Sequence, residues 1–364
     1  MPRPIRAHFD LAAWQHNFKV VRQRAPSSKV WAVVKASAYG HGLLRAARAL
    51  GQADGFALLD MDEAVRLREA GIRKPILLLE GYFDARDWAL VEAHDLTVVV
   101  HSDAQLRMLE EARPERTFKV FLKVNSGMNR LGFTGQAVRA AFERLSTMPQ
   151  VGTVTLMTHF ADADGPTGVA AQLRRFEEWT AGLAGPRSTA NSAATLKFPE
   201  SHADWVRPGI VLYGASPFPL AMPGWSAAEL GLKPVMTLTT ELIAIQSLAA
   251  GEGIGYGYRY VAPKAMRIGV VACGYADGYP RHAPPGNESG VPILVDGVRC
   301  RSIGRVAMDM MYVDLMPVPQ AHVGSRVTLW GEGLPADEVG EACGTLSYEM
   351  FCALAARVPQ TETT

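Results

Sequence analysis

Short apolar runs alternate with amphipathic stretches from residue 29 to about residue 214. The runs carry few charges, which is typical of strands that are buried on both faces of a parallel sheet. In the stretches between them, apolar residues recur at three- and four-residue spacing, as in helices with one buried face. The strand candidates lie at residues 31–37, 55–60, 75–81, 96–102, 118–124, 153–160, 188–193 and 205–214.

This alternation predicts an α/β fold. Eight strand candidates, mostly separated by helix candidates, favour a closed (β/α)8 barrel of the TIM type. After residue 230 the strand-like segments are joined by Gly/Pro-rich turns, which predicts an antiparallel β domain with a hairpin turn at 296–298 and a helix near Ser347. We expect a barrel domain over 1–228 and a C-terminal β domain over 229–364, with the first strand free to pack with the C-terminal domain.

Composition narrows the class of protein. The 37 basic residues balance 36 acidic ones, so neither nucleic acid nor an anionic membrane is an expected partner. We find no signal-peptide pattern at the N-terminus and no apolar run near the ~20 residues that span a bilayer. The 4 cysteines have no metal-binding spacing, so we expect reduced thiols, no metal site and a cytoplasmic protein.

The segment at 32–42 carries the first candidate chemistry. Its apolar run ends on Lys35 and passes at once into a turn that contains Gly40 and Gly42. A lysine at the mouth of a buried strand is unfavourable unless its amine is neutral, paired or covalently used. Lys35 is therefore a candidate Schiff-base lysine of the kind that binds pyridoxal phosphate, although a strand-end lysine is more often a simple solvent contact.

Further polar residues follow the other strand candidates. Lys123 ends the fifth run and His159 the sixth, Asn191–Ser192 follow the seventh, and Arg207 interrupts the eighth. Carboxyl ends of barrel strands meet at one edge, so these residues are expected to form one site. Taken singly, His159 is equally well a core histidine, and Arg207 a strand-end ion pair.

Nine motifs, in order, resemble bacterial alanine racemases over nearly the whole chain. They are AVVKASAYGHG (32–42), LKVNSGMNRLGF (122–133), THFADAD (158–164), NSAATL (191–196), RPGIVLYG (207–214), IGYGYRY (254–260), GYADGYPR (274–281), GRVAMDM (304–310) and LSYE (346–349). The resemblance implies a pyridoxal-phosphate enzyme that interconverts L- and D-alanine, for peptidoglycan or for alanine catabolism. It also implies a head-to-tail homodimer with active sites shared between the subunits.

By this resemblance, Lys35 and Tyr256 are the two catalytic bases, with Tyr256 supplied by the partner subunit. Racemisation removes a proton from one face of the α-carbon and returns one to the other, so two opposed bases are needed. The pKa of a free tyrosine is ~10 and that of a free lysine ~10.4, so both need tuning to work near neutrality. The resemblance implies that His159 and Arg207 tune the phenol, and that Arg207 faces the pyridine nitrogen of the cofactor.

The resemblance extends to binding residues. The implied cofactor contacts, besides Lys35 and Arg207, are Tyr39, Ser192, Gly209, Ile210 and Tyr348. The implied substrate contacts are Arg130, Met308, Asp309 and Tyr275, and the polar entrance layer is Arg281, Arg305 and Asp164. Lys123 matches a lysine that the family carbamylates, so that its negative charge holds Arg130; pairing with an ordinary carboxylate is the alternative.

Four residues, at three sites, depart from the commoner family pattern. Ser37 stands where Asn is usual, Asn125–Ser126 where Asp–Thr is usual, and Ala307 where Cys is usual. Substrate preference is therefore the least certain expectation, and a racemase of serine or of broader specificity is the main alternative. A related decarboxylase would need an acidic partner for the pyridine nitrogen, where Arg207 stands. A non-catalytic pyridoxal-phosphate carrier would lack the β domain.

Overall fold

The computed structural model describes residues 3–112, 115–286 and 290–363. Its contacts divide the chain into two compact units. The barrel unit contains Gln15–Leu212 and Pro217–Pro219, and the sheet unit contains the chain up to Trp14, Tyr213–Ser216 and the chain from Leu220 onward. The domain boundary after residue 228 stays a prediction.

The secondary structure has the following bounds. The strands are β1 (Arg6–Asp10), β2 (Lys29–Val33), β3 (Gly55–Leu58), β4 (Ile76–Leu78), β5 (Leu96–Val100), β6 (Phe118–Lys123), β7 (Val151–Met157), β8 (Arg187–Ser188), β9 (Trp205–Val206), β10 (Met236–Leu248), β11 (Gly253–Ile254), β12 (Tyr260–Val261), β13 (Met266–Val271), β14 (Pro292–Val295), β15 (Val298–Ile303), β16 (Met311–Asp314), β17 (Arg326–Trp330) and β18 (Gln360–Thr363). The helices are α1 (Leu11–Arg24), α2 (Lys35–Tyr39), α3 (Leu43–Ala49), α4 (Met61–Glu69), α5 (Trp88–Ala93), α6 (Asp103–Glu111), α7 (Gln136–Thr147), α8 (Ala170–Trp179), α9 (Ser192–Lys197), α10 (Ala336–Ala342) and α11 (Ser347–Cys352). Single 3-10 turns cover Ala85–Asp87, Pro199–Ser201, Ile210–Tyr213, Tyr256–Tyr258 and Tyr275–Asp277.

Strands β2 to β9 form a closed parallel barrel, which confirms the predicted fold. Closure occurs where β9 pairs with β2 through Trp205 and Lys29. Every residue of β5 is buried, as expected for a strand covered on both faces. Within the barrel unit, Trp31 stacks on Trp205 with ring centroids 4.6 Å apart and meets Phe121 edge-on at 6.0 Å.

The last two barrel strands end earlier than their apolar runs. Only Trp205–Val206 is a strand in the run that was predicted to reach residue 214. Pro208 has no N–H to donate to a sheet, and Ile210–Tyr213 forms a 3-10 turn. Arg207 therefore follows the strand rather than interrupting it, which places its side chain at the carboxyl edge of the barrel.

The sheet unit contains an eight-stranded sheet in the order β13-β16-β15-β14-β17-β10-β1-β18. Its pairs are antiparallel, as predicted, except that β18 runs parallel to β1. The hairpin at 296–298 is confirmed between β14 and β15. Its turn residues Asp296 and Gly297 both have positive φ, 47° and 80°, which matches the twist of a two-residue hairpin. Across the described residues, every helix is too short or too polar to cross a bilayer.

Candidate active site

Cationic side chains gather at the carboxyl edge of the barrel. Lys123 is the last residue of β6 and is 8% exposed. Burial, together with the positive charges of Arg207, Arg130 and Lys35, lowers the pKa of its amine to about 8. These groups are therefore close enough to interact, as expected for residues that follow neighbouring strands of one barrel.

The segment after Lys35 folds in an unusual way. Ala36, Ser37, Ala38 and Tyr39 have φ between 50° and 55°, so α2 is a left-handed turn. This conformation costs roughly 1–2 kcal/mol for each non-glycine residue. Part of that cost is offset by hydrogen bonds inside the turn, from Ala38 N–H to the Val34 carbonyl (2.9 Å) and from Gly42 N–H to the Ser37 carbonyl (2.8 Å).

Arg207 is held rigidly by the end of the barrel. Its side chain is buried, at 4% exposure, and its guanidinium donates to Ser188 Oγ (2.6 Å) and to the carbonyls of Thr158 (2.6 Å) and Thr189 (3.2 Å). Burial lowers its pKa to about 10, so it remains a cation at neutral pH. The result is a fixed positive charge at the barrel edge.

His159 was predicted to tune the Tyr256 phenol together with Arg207. Burial lowers its pKa well below the ordinary value, helped by the charges of Arg207 and Lys123, so the ring is neutral at pH 7. Within the described residues, the Arg207 guanidinium donates its hydrogen bonds to the hydroxyl and carbonyls above and not to the imidazole. The predicted relay through His159 and Arg207 therefore stays a prediction.

The alternative to a carbamate on Lys123 was a pairing with an ordinary carboxylate. Among the described residues, no Asp or Glu forms an ion pair with its amine. Glu80 raises the pKa of Lys123, but by less than burial and the two arginines lower it. Arg130 itself is exposed in the loop after β6. Lys123 is therefore a buried amine with a lowered pKa beside two arginines.

A small cradle lies beside these cations in the barrel unit. Gly209 N–H donates to Ser192 Oγ at 2.8 Å, and both residues are buried. A Cβ on Gly209 would lie 2.4 Å from Tyr39 Oη, so only glycine allows this approach. Ile210 follows with no exposed surface. Backbone N–H groups, a serine hydroxyl and a phenol at one point are suited to binding an anion such as a phosphate.

In the sheet unit, Tyr256 lies on an exposed turn. Its side chain is 71% exposed, and its neighbours Gly255 and Gly257 have φ of 64° and 72°. Tyr258, in the same 3-10 turn, is 70% exposed. Among the residues implied for substrate, Met308 is 53% and Tyr275 39% exposed. Tyr256, Met308 and Tyr275 thus present their side chains to the surface of the chain.

The loop that carries Met308 and Asp309 is fixed by backbone contacts. Tyr275 N–H donates to the Ala307 carbonyl at 3.1 Å, and Ala276 N–H to the Met308 carbonyl at 2.9 Å. Of the predicted entrance residues in the same unit, Arg281 is exposed and lies over the Tyr275 ring, 5.9 Å from its centroid. The remaining predicted residues, Arg305, Tyr348 and, in the barrel unit, Asp164, are half-buried.

Sequence reasoning missed an ion-pair network beside this loop. Asp277 is fully buried, and its carboxylate accepts from Arg3 Nη1 (3.0 Å), Arg357 Nε (2.8 Å) and Gly274 N–H (2.9 Å). Both arginines also contact Asp309. Asp277 stands inside the motif GYADGYPR, but its partners lie near the two ends of the chain, so local sequence offers no signal for them.

Comparisons with known proteins cover both units. Residues 9–217 match the family model "Alanine racemase, N-terminal domain", and residues 235–362 match "Alanine racemase, C-terminal domain". The chain is 58% identical over 359 residues to an alanine racemase of Burkholderia mallei, covering 99% of each, and 57% identical over 361 residues to one of Ralstonia nicotianae, covering 99% of this chain and 96% of that protein.

Solved structures give the same result. The crystal structure of a biosynthetic alanine racemase from Pseudomonas aeruginosa superposes with a TM-score of 0.95 at 45% identity and covers 100% of both chains. An alanine racemase from a D-cycloserine-producing Streptomyces lavendulae superposes with a TM-score of 0.87 at 34% identity, covering 100% of this chain and 98% of that one.

Proposed function

The chain belongs to the alanine racemase family, and from that premise we propose that it interconverts L- and D-alanine with pyridoxal phosphate bound at the carboxyl edge of the barrel. Lys35 and Tyr256 of the partner subunit are the two opposed bases. The observation that carries the proposal is the coincidence at one barrel edge of Lys35, the buried Arg207 and the Gly209 cradle.

The residues present fit the cofactor. The cradle of Ser192, Tyr39 and the Gly209 and Ile210 amides would hold a phosphate, because its donors are close together and a side chain at 209 is excluded. When bound, pyridoxal phosphate supplies the electron-withdrawing ring that makes the α-proton of an amino acid acidic. In the sheet unit, Tyr348 is the remaining candidate contact of the phosphate.

Arg207 would set the charge beside the ring nitrogen. With a pKa of about 10, its guanidinium keeps its proton at neutral pH and acts there as a hydrogen-bond donor, not as an acid. A carboxylic acid at this position would favour protonation of the ring, as the decarboxylase alternative requires. Arg207 therefore supports racemisation over reactions that need a stronger electron sink.

The two bases have different surroundings. Lys35 is half-buried at the barrel edge among other cations. Tyr256 is exposed on its own chain, which fits a residue that completes a site on a partner subunit. We therefore propose a head-to-tail homodimer. His159 would accept a hydrogen bond from the phenol because it is neutral, with Arg207 beyond it.

Arg130 would bind the substrate carboxylate. We propose that Lys123 is carbamylated, because a buried amine with a pKa of about 8 offers a neutral nitrogen to CO2 and the product anion would face Arg130. The backbone of Met308 and Asp309, with Tyr275 and Tyr348, would limit the side-chain pocket to a methyl group. Arg281, Arg305 and Asp164 would form the polar entrance.

A cytoplasmic location is also proposed. None of the 4 cysteines forms a disulfide within the described residues, and Cys273, Cys300 and Cys343 are buried. Free thiols are usual in a reducing compartment. The D-alanine produced would serve peptidoglycan synthesis, or the enzyme would serve alanine catabolism.

The test is a substrate panel on the purified enzyme. Racemisation of L-alanine, L-serine, L-lysine and L-arginine is followed with added pyridoxal phosphate, together with the absorbance of the bound cofactor. We expect alanine to be converted fastest and the absorbance band to disappear in Lys35→Ala. Faster conversion of serine or of a basic amino acid would contradict the substrate assignment.

A further inference from the structure

A buried carboxylate contacts the left-handed turn that follows Lys35. Glu63 lies in the first turn of α4 and is 8% exposed. Its Oε1 accepts a hydrogen bond from Ser37 N–H at 2.6 Å. Its Oε2 is buried and has no hydrogen-bond partner among the described residues. A buried carboxylate with one partner is unfavourable, so this contact needs an explanation.

The contact is made to backbone, not to a side chain. The Ser37 side chain is exposed, and the N–H that Glu63 binds would be present whatever residue stood at 37. Other amides of the segment donate within it, as Ala38 N–H does to the Val34 carbonyl and Gly40 N–H to the Ala36 carbonyl. Ser37 N–H is instead satisfied by a side chain from the next βα unit of the barrel.

The position of this contact links it to Lys35. Ser37 is the second residue after Lys35 and the middle of a run of non-glycine residues with φ near +50°. Such residues return to negative φ unless neighbouring structure prevents it. Any relaxation at Ser37 would rotate the chain at Lys35 and change the direction of its amine.

We propose that Glu63 is a positioning residue for Lys35: its carboxylate holds Ser37 N–H and thereby fixes the left-handed turn that aims the Lys35 amine. The inference rests on the proposed function, in which Lys35 is the reacting amine. Glu63 itself contacts neither substrate nor cofactor in this account. What matters is an acceptor of the right length, and not its negative charge.

The test compares Glu63→Gln, which keeps an acceptor of the same length, with Glu63→Met, which fills the space without an oxygen. Asp62→Ala is the matched control, because Asp62 is an exposed carboxylate in the same helical turn. For each holoenzyme we would measure the dissociation constant of pyridoxal phosphate, the fraction fixed on Lys35 by borohydride reduction, and kcat and KM for alanine. Thermal unfolding of each variant reports on the fold.

We expect Glu63→Met to bind pyridoxal phosphate about tenfold more weakly and to lose kcat by roughly 10- to 100-fold, since a displacement near 1 Å is enough for such losses. Glu63→Gln and Asp62→Ala should stay within about threefold of wild type, with KM unchanged throughout. If Glu63→Met does not fold, Glu63→Asp, which keeps the charge but is one methylene shorter, should show the same loss.

Three results would overturn the proposal. Unchanged cofactor binding and kcat in folded Glu63→Met would show that Lys35 does not depend on the contact. Equal losses in Glu63→Gln and Glu63→Met would assign the effect to charge. A wild-type enzyme that neither binds pyridoxal phosphate nor racemises alanine would remove the proposed function and this inference together, whereas the first two results leave the proposed function intact.

Discussion

The candidate residues of the barrel unit and those of the sheet unit differ in how they are held. At the barrel edge, Arg207 is 4% exposed and makes three hydrogen bonds, and Lys123 is 8% exposed. In the sheet unit, Tyr256 is 71% and Met308 53% exposed. The backbone around Met308 is nevertheless firmly bonded, so exposure there belongs to side chains and not to a loose loop.

This difference separates two ways of preparing a catalytic group. Burial at the barrel edge changes the chemistry of a side chain, as the lowered pKa values of Lys123 and Arg207 illustrate. An exposed phenol on a fixed backbone is instead prepared by its position, and another surface must cover it before it can act in a closed site. We therefore expect the barrel residues to be sensitive to changes within one chain, and Tyr256 to be sensitive to the partner subunit.

The largest expected effect is at Lys35. Lys35→Ala should lower racemisation by at least about 10⁴-fold, because it removes both the cofactor anchor and one base. Lys119→Ala, a change at an exposed lysine of strand β6, is the control and should keep full activity. The measurement is D-alanine formation from L-alanine; retention of more than a small fraction of the wild-type rate would contradict the assignment.

Replacement of the exposed base, Tyr256, should lower activity without lowering stability. We expect Tyr256→Phe to lower racemisation by about 10³-fold and to change the free energy of unfolding by less than about 0.5 kcal/mol. The two enantiomers have equal free energy, so kcat/KM must fall equally in both directions. Exchange of the α-proton with D2O should nevertheless persist for the enantiomer that Lys35 deprotonates.

Tyr258→Phe is the matched control for Tyr256→Phe, since Tyr258 shares the turn and its exposure. It should leave racemisation and exchange near wild type. Loss of exchange from both enantiomers in Tyr256→Phe would contradict a base that serves one face.

Some features of the molecule could be predicted from the sequence and others could not. Alternating apolar runs were enough for the barrel, because strands buried on both faces have few polar positions. The turn after Lys35 could not be foreseen, since its residues Ala36–Tyr39 contain no glycine to signal positive φ. The Asp277 network was equally hidden, because its arginines lie 274 and 80 residues away along the chain.

Replacement of Asp277 tests whether buried charge stabilises the sheet unit. Asp277→Asn should lower the free energy of unfolding by about 3 kcal/mol, because it removes the shared anion from two arginines in a fully buried position. Asp314→Asn is the comparison, as Asp314 pairs with Arg301 at 3.5 Å and is 13% exposed. Urea unfolding measures both; equal small losses would mean that the network contributes little.

The smallest expected effect is the pH dependence due to Lys123. Its pKa is lowered to about 8 in the folded state from 10.5, so above pH 8 the unfolded chain binds more protons than the folded one. In CO2-free buffer, stability relative to Lys123→Met should therefore rise by about 2 kcal/mol as the pH increases from 8 to 10.5. A flat difference across this window would contradict the lowered pKa.

Labelled CO2 provides a second, separate measurement on the Lys123 amine. Equilibration with ¹³C-labelled CO2 at pH 8 should add a carbamate carbon signal to the wild-type enzyme and not to Lys123→Met. Absence of that signal, with Arg130 still ordered, would remove the carbamate and leave Lys123 unmodified.

Subunit complementation tests the shared, two-base site most directly. Lys35→Ala and Tyr256→Phe enzymes, each nearly inactive, are mixed, dissociated and allowed to reassociate. If each site takes its amine from one subunit and its phenol from the other, hybrid dimers contain one intact site, and activity should recover to about a quarter of wild type. Activity that stays at the level of the separate variants would mean that both bases come from one chain.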